Sequence, residues 1–314
     1  MILLLQYTLI FASVLLLVAL GGCFAERSGV INIGLEGIMV IGALGGALVL
    51  KFLPATVGPL VMVLATVAAA AIFGMIFSLF LAVAAISFKA DQTITGTAMN
   101  MLATAGATVA VKAMNTVMTK GADVSSDIAY THTKDLLLVR LGNFEFNWFM
   151  LVAALCLVAS FVVLYKTRFG LRLRACGEHP QAADSVGINV YKMRYAGVLI
   201  SGLLGGLGGI VYITAGVSVW KFENGVAGFG FLAMAVMIFG GWHPIKIALA
   251  SLLFGFCRAL GNVYSGFDFL AAMNIPSVVY NMLPYIISLV VLAFTSKKSM
   301  GPKAAGVPYD TGTR

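Results

Sequence analysis

The sequence predicts an all-α polytopic membrane protein with about nine transmembrane helices (8–10). Three observations point there. Of 314 residues, 61% are hydrophobic and 10% charged, with mean hydropathy +1.00, far from the roughly 45–50% apolar and 25% charged of soluble domains. Apolar runs of spanning length recur along the whole chain. The few charges gather between those runs, and their sign balance changes from one connection to the next.

A hydrocarbon core of about 30 Å needs about 20 apolar residues per helix. The sequence supplies such runs at 2–22, 34–50, 58–86, 93–119, 147–165, 195–217, 228–241, 245–262 and 279–296. The first run lacks a basic leader and a small-residue cleavage motif, so it reads as a retained helix rather than a signal peptide. The third is long enough to tilt or bend. The run 228–241 is short enough for a half-helix, and Pro284 can kink the last. The 35 glycines suit helices that meet closely in lipid. In GLLGGLGG at 202–209, Gly202 and Gly206, and Gly205 and Gly209, have small-xxx-small spacing. That marks a helix contact rather than a phosphate loop, because GxxxxGK[ST] occurs nowhere. A single transmembrane domain, 1–314, is expected.

Charge sets the expected orientation. The connection 166–194 carries Lys166, Arg168, Arg172, Arg174, Lys192 and Arg194 against Glu178 and Asp184, so the positive-inside rule makes it cytoplasmic. The segment 120–146, with Lys120, Lys134 and Arg140 against Asp123, Asp127, Asp135 and Glu145, reads as external. Alternation then puts Lys89, Lys297, Lys298 and the tail 297–314 inside and the N-terminus outside. Net charge +8 collects in the basic loop and tail, where anionic headgroups account for it. No basic module with a stacking platform exists, so no nucleic-acid partner is expected. Within the loop, Pro180, the run QAADSV and Gly187 read as a short helix with its stop. A cytoplasmic helix of this kind suits a membrane subunit pushed by a soluble motor.

Catalytic chemistry is not expected. Cys23, Cys156, Cys176 and Cys257 have no metal-ligand spacing, His132, His179 and His243 have no ligating partner at helical spacing, and no nucleophile, base or paired carboxylate converges. No catalytic residue, metal or cofactor is expected, and the chain reads as a non-enzyme. Ion-coupled carriers commonly keep a mid-membrane acid; here only Glu26 and Glu36 qualify, if their segment is re-entrant.

Polar residues in costly places mark the candidate site. ERSGVINIGLEG at 26–37 carries three charges and three glycines between two spans with almost no loop. It is either a tight cytoplasmic turn with Glu26 and Arg27 paired, or a discontinuous segment that lines or gates a path. The fourth span opens with Gln92, Thr93, Thr97 and Asn100 on roughly one side, for helix contacts or for a solute. Trp220, Phe222 and Trp242 are placed as interfacial rings, the first two within reach of an arriving solute. Lys112 and Arg258 read as snorkelling near span ends. The candidate substrate path is Asn32, Glu36, Gln92, Thr97, Asn100, Trp220 and Phe222.

ERSGVINIGLEGIMVIGA at 26–43, DQTITGTAMNML at 91–102, GLRLRACGEHPQAADSVGINV at 170–190, GFGFLAMAVMIFGGWHP at 228–244 and PKAAGVPY at 302–309 carry a resemblance. Nearly end to end, the chain resembles permease subunits of bacterial ABC importers in the branched-chain amino acid and ribose permease superfamily. SGVINIGLEG stands where sugar permeases typically read like GIDLSVG, which points to the nucleoside branch that works with a basic-membrane-protein type lipoprotein. The resemblance implies the ABC importer permease fold and ATP-driven uptake of a nucleoside, with a simple sugar or an ion-coupled carrier as alternatives. Its implied partners are a second homologous permease in a heterodimer, a cytoplasmic ABC ATPase and an external substrate-binding lipoprotein. It also implies that 166–194 is the ATPase-coupling loop, through Arg172, Arg174, Gly177, Glu178, Pro180, Ala182, Ala183 and Gly187. Phe229 departs from the basic or small residue that many relatives carry there.

Overall fold

The computed structural model describes residues 2–54, 56–128, 130, 137–141, 144–215, 220–266, 276–295 and 301–310. In chain order the elements are α1 (Ile2–Arg27), α2 (Leu35–Phe52), α3 (Pro59–Ala82), α4 (Gln92–Met118), β1 (Leu138–Leu141) and β2 (Phe144–Asn147). They continue with α5 (Trp148–Lys166), α6 (Arg168–Glu178), α7 (Pro180–Ser185), α8 (Val190–Ala215), α9 (Phe229–Phe239), α10 (Pro244–Val263) and α11 (Ser277–Thr295). Each expected apolar run meets a helix. Seven described helices (α1, α2, α3, α4, α5, α8 and α10) are long and apolar enough to cross a membrane, and the 11 residues of α9 make a half-helix. The run 58–86 is one long helix, α3 continuing into a π turn at Val83–Ser87. The helix α6 was not foreseen. Thr167 starts it by accepting from the Gly170 N–H at 3.1 Å, and His179, held extended before Pro180, separates it from α7.

The core is built on α1 and α8, with α8 wedged against α2 and α3 and α1 against α10. Glycine permits that wedge. A Cβ at Gly42 would fall on Gly206, one at Gly206 on the Ala70 carbonyl, and one at Gly74 on the Gly202 carbonyl. The run at 202–209 is therefore where backbones touch, as the spacing indicated.

Connections separate into two ends. At one end, Gln6 donates to Glu145 (3.3 Å), Lys51 to Asn115 (3.0 Å), and Asn115 to the carbonyls of Ser125 (3.0 Å) and Asp127 (2.8 Å). The β1–β2 hairpin lies there, and the 220–227 segment joins it through Phe222 N–H to Ser126 O. Arg27, Lys89, α6, α7, Trp242 and 301–310 gather at the opposite end. This is the grouping expected from alternating 120–146 with 166–194. His132, Lys134, Asp135, Lys297 and Lys298 lie outside the described residues.

Several expectations need correction. Glu26 and Arg27 do not pair: Glu26 accepts from the Trp242 indole at 2.6 Å, and Arg27 lies 3.5 Å from Glu178. Lys112 is not simply snorkelling, since it pairs with Glu223 and holds that carboxyl below its ordinary range. Arg194, counted as a surface charge, is 1% exposed. Arg258 sits inside α10 over the Phe229 ring, 5.4 Å from its centroid.

Candidate functional site

Two unwound stretches, one after α1 and one before α9, run into the bundle and meet. Gly29, at φ +98, closes α1 with paired bonds: Gly29 N–H to Glu26 O (2.9 Å) and Val30 N–H to Ala25 O (3.1 Å). The chain then runs unwound to Leu35. Backbone at such depth must find partners in protein, and amide side chains provide them. Gln92 accepts from the Ile31 N–H at 2.7 Å. Asn100 donates to Ile33 O at 3.0 Å and accepts from the Gly37 N–H at 2.8 Å. Asn32, 1% exposed, donates to Ser201 Oγ at 2.8 Å. Asn100 lies eight residues into α4, about 12 Å along its axis at 1.5 Å per residue, so the junction is deep in the bilayer.

The second unwound segment approaches from the other end. After Phe222–Asn224 it passes Thr104 of α4 at Gly225, and Gly228, at φ +79, opens α9. Glu36 receives it. One carboxyl oxygen accepts from Gly228 N–H at 2.7 Å and the other from Gly230 N–H at 2.6 Å. Because Glu36 is also in the first turn of α2, its carboxylate faces the positive ends of two half-buried helices at once. The helix α9 then runs back to Trp242, whose carbonyl accepts from Arg27 Nε (3.4 Å) and Nη2 (3.3 Å).

The junction thus brings together Glu36, Gln92 and Asn100 as partners of backbone groups, with Asn32 anchoring the unwound stretch to Ser201 of α8. The reading of 26–37 as discontinuous agrees with this geometry, and the tight-turn reading does not. Thr97 is not among them: it is on the exposed face of α4 and its hydroxyl donates to Thr93 O at 2.8 Å. Trp220 (5% exposed) and Phe222 (0%) are core residues, not interfacial rings, and Trp220 stands edge-on to Tyr212 at 5.4 Å. Their loop dives inward, which apolarity next to a short span signals only weakly. Sequence reasoning missed Gly228, Gly230, Tyr212 and Tyr285. Tyr285 donates to the Ala227 carbonyl at 3.4 Å, and the Tyr212 ring lies 4.6 Å from that of Phe229. The glycines at 225, 228 and 230 were the available signal.

At the far end, α6 and α7 follow each other directly, separated by His179. Arg174 leans on the Tyr165 ring at 4.6 Å, Glu178 pairs with Arg27, and a Cβ at Gly177 would collide with the Arg27 carbonyl. Gly187, at φ +83, closes α7 through Gly187 N–H to Asp184 O (2.9 Å) and Ile188 N–H to Ala183 O (3.1 Å), the stop foreseen from sequence. Leu171 (62% exposed), Arg172, Ala182 and Val186 (74%) face outward, whereas Pro180 and Ala183 face inward. Ala183 packs with Cys176, Val190 and Tyr309, which excludes it from an outer contact surface. Burial there pushes the Cys176 thiol up to about 11.

Residues 4–294 match the family described as branched-chain amino acid transport system / permease component. The chain belongs to this family. It is 43% identical to the guanosine ABC transporter permease protein NupQ of Bacillus subtilis, over 98% of this chain and 96% of that one. It is 39% identical to the nucleoside ABC transporter permease protein NupC of Lactococcus lactis (96% and 94% covered) and 24% identical to NupB of the same organism (96% and 82%). This permease is therefore a multi-pass membrane component of an ABC transport system, a transport subunit rather than an enzyme. Such a component implies an ATPase and a substrate-binding protein as partners.

Proposed function

We propose that the chain is one permease of an ATP-driven nucleoside importer, a single membrane domain paired with a different, homologous permease. The supporting observation is near full-length similarity to proteins named for guanosine and nucleoside transport. That two permease proteins of one organism, NupC and NupB, both align with this chain favours a heterodimer. The external lipoprotein hands solute to the end holding 120–146, and the N-terminus lies outside. The basic α6–α7 pair and 301–310 are cytoplasmic, and the pair receives the ATPase through the outward Arg172, Ala182 and the turn at Gly187.

The solute passes beside α4. This helix has the lowest hydropathy of the seven spans and is largely uncovered, and among the exposed Ile94, Met101, Leu102 and Val109 its open side carries Thr93 and Thr97 with the small residues Ala98, Ala105 and Gly106. Neutral hydroxyls there suit a neutral solute, and small residues let a second permease approach closely. The Glu36 junction sits behind that face and sets its position.

A simple sugar is the second reading, favoured by 32% identity to the putative glucose permease protein TsgC13 of Haloferax volcanii, over 82% of this chain and 76% of that one. Uptake of labelled guanosine, uridine and ribose in cells with and without the chain, before and after ATP depletion, separates the two. ATP-dependent nucleoside uptake is expected. Ribose uptake alone would transfer the assignment to sugars, and dependence on a proton gradient but not on ATP would make it a secondary carrier.

A further inference from the structure

Residues 301–310 cross the end of the bundle that carries α6 and α7 and attach to four separate elements. Ala304 N–H donates to Gly177 O at the end of α6 (2.9 Å), and Gly306 N–H donates to Gly29 O in the turn that ends α1 (3.2 Å). Val307 O accepts from Arg194 of α8 (2.9 Å), and Asp310 pairs with Lys89 before α4 (2.7 Å). The Tyr309 ring fills the space between α6, α7 and α8, packed with Cys176, Ala183 and Val190.

Arg194 gives this crossing its character. The side chain is 1% exposed, and its Nε and Nη2 have no hydrogen-bond partner among the described residues. Its guanidinium lies against Gly29, where a Cβ would come 2.9 Å from Nη2, and 5.8 Å from the Tyr309 ring centroid. Burying a charge without a counter-ion costs several kcal/mol, so stability alone gives no reason for it. Its position does: it is where the tail, α8 and the broken end of α1 converge. The tail gives α6–α7 a second route to the Gly29 turn beside the Arg27–Glu178 pair, and from Gly29 the unwound 30–34 leads to Glu36.

We propose that 301–310, held by Arg194, is a positioning strap that carries displacement of α6–α7 to the Gly29 turn and on to the Glu36 junction. The inference rests on the ATP-driven reading above. Its test uses the assembled transporter in proteoliposomes, with the whole chain, a chain ending at Met300, Arg194→Met and Arg194→Lys. ATP turnover, labelled guanosine uptake and co-purification of the ATPase are measured. A second readout needs no solute: the ATP-induced change in maleimide reactivity at Ile31→Cys in chains with the four native cysteines replaced by alanine.

The chain ending at Met300 and Arg194→Met should keep the ATPase bound and hydrolysing, while guanosine moved per ATP falls about tenfold, within the range of coupling between linked sites. Arg194→Lys should recover most of that ratio, and the ATP-induced change at Ile31→Cys should vanish without the tail. Loss of the bound ATPase, equal falls in turnover and uptake, or an unchanged ratio overturns the strap, because the tail would then be a docking surface or an ornament. If the whole chain transports no guanosine, the solute assignment fails. The strap then stands if ATP changes the Ile31→Cys reactivity only when the tail is present, and falls otherwise.

Discussion

Gly29 and Gly187 end their helices by the same device, a left-handed glycine with paired bonds back to the last turn, yet their surroundings are opposite. A Cβ at Gly29 would meet the Arg194 guanidinium, whereas at Gly187 nothing lies within 4 Å. The first stop is enclosed by α8 and the tail and leads into the Glu36 junction. The second stands in the open beside Val186. A helix stop is a local event fixed by a few residues, but whether changing it breaks the fold or a partner contact is decided by what distant chain covers it.

The largest effect is expected at the covered region. Glu36→Ala removes the acceptor from two N–H groups of α9, and each buried unsatisfied donor costs about 1–3 kcal/mol. Folded chain recovered in detergent should fall sharply. Glu36→Gln retains one acceptor oxygen and should recover part of it. Equal yields for wild type and Glu36→Ala in a size-exclusion profile would mean that α9 does not need this cap and that the two regions are less different than their geometry.

Next in size is the paired test of the two stops. Both Gly29→Val and Gly187→Val force an L-residue into left-handed backbone, at roughly 1–2 kcal/mol. Only Gly29→Val adds a collision with Arg194, so its Tm in detergent should fall well below that of Gly187→Val. The latter should reach the membrane in near-normal amount and lose uptake with partner-stimulated ATP turnover. Matching Tm values would sink the comparison.

What sequence revealed follows the same division. Helix positions, the stop at Gly187 and the glycine contact at 202–209 depend on neighbours in the chain or on spacing within one helix, so they were legible. The Glu36 bonds to Gly228 and Gly230 join residues 192 and 194 positions apart, and no local pattern announces such a pairing. Arg194 was counted with the surface charges because composition does not see the tail that covers it. Trp220 and Phe222 were placed at an interface because a loop that dives into the core has the composition of one that skirts the surface. Asn32, Gln92 and Asn100 stand out in the sequence as costly polar residues, but only the structure gives Gln92 and Asn100 backbone partners and Asn32 its bond to Ser201.

A smaller effect distinguishes inward from outward on a single helix. Ala182 is exposed and Ala183 buried against Tyr309. Ala182→Arg should leave Tm nearly unchanged, as surface substitutions do within about 0.5 kcal/mol, yet impair ATPase-coupled uptake by filling the outer surface. Ala183→Arg should lower Tm and loosen the tail, so its loss of uptake would say nothing about the ATPase contact. Normal uptake by Ala182→Arg would place the contact on another face.

The smallest expected effect is a pH dependence at His243, which closes the short turn between α9 and α10. Burial, then the positive charges of Lys246 and Arg27, hold this imidazole below its ordinary value of 6.5, and the Tyr165 ring lies 4.9 Å away. Nδ1 has no hydrogen-bond partner among the described residues to stabilise the charged form. The folded chain therefore binds this proton less readily than the unfolded chain. Stability rises with pH wherever the unfolded state holds more protons, so the contribution is complete above the ordinary value and is lost as pH falls through it toward the lower folded value. The Tm of wild type minus that of His243→Gln should be constant from about pH 8 to 7 and fall toward pH 5.5. An unaltered slope in that variant would assign the proton to another group and leave His243 as packing beside Tyr165.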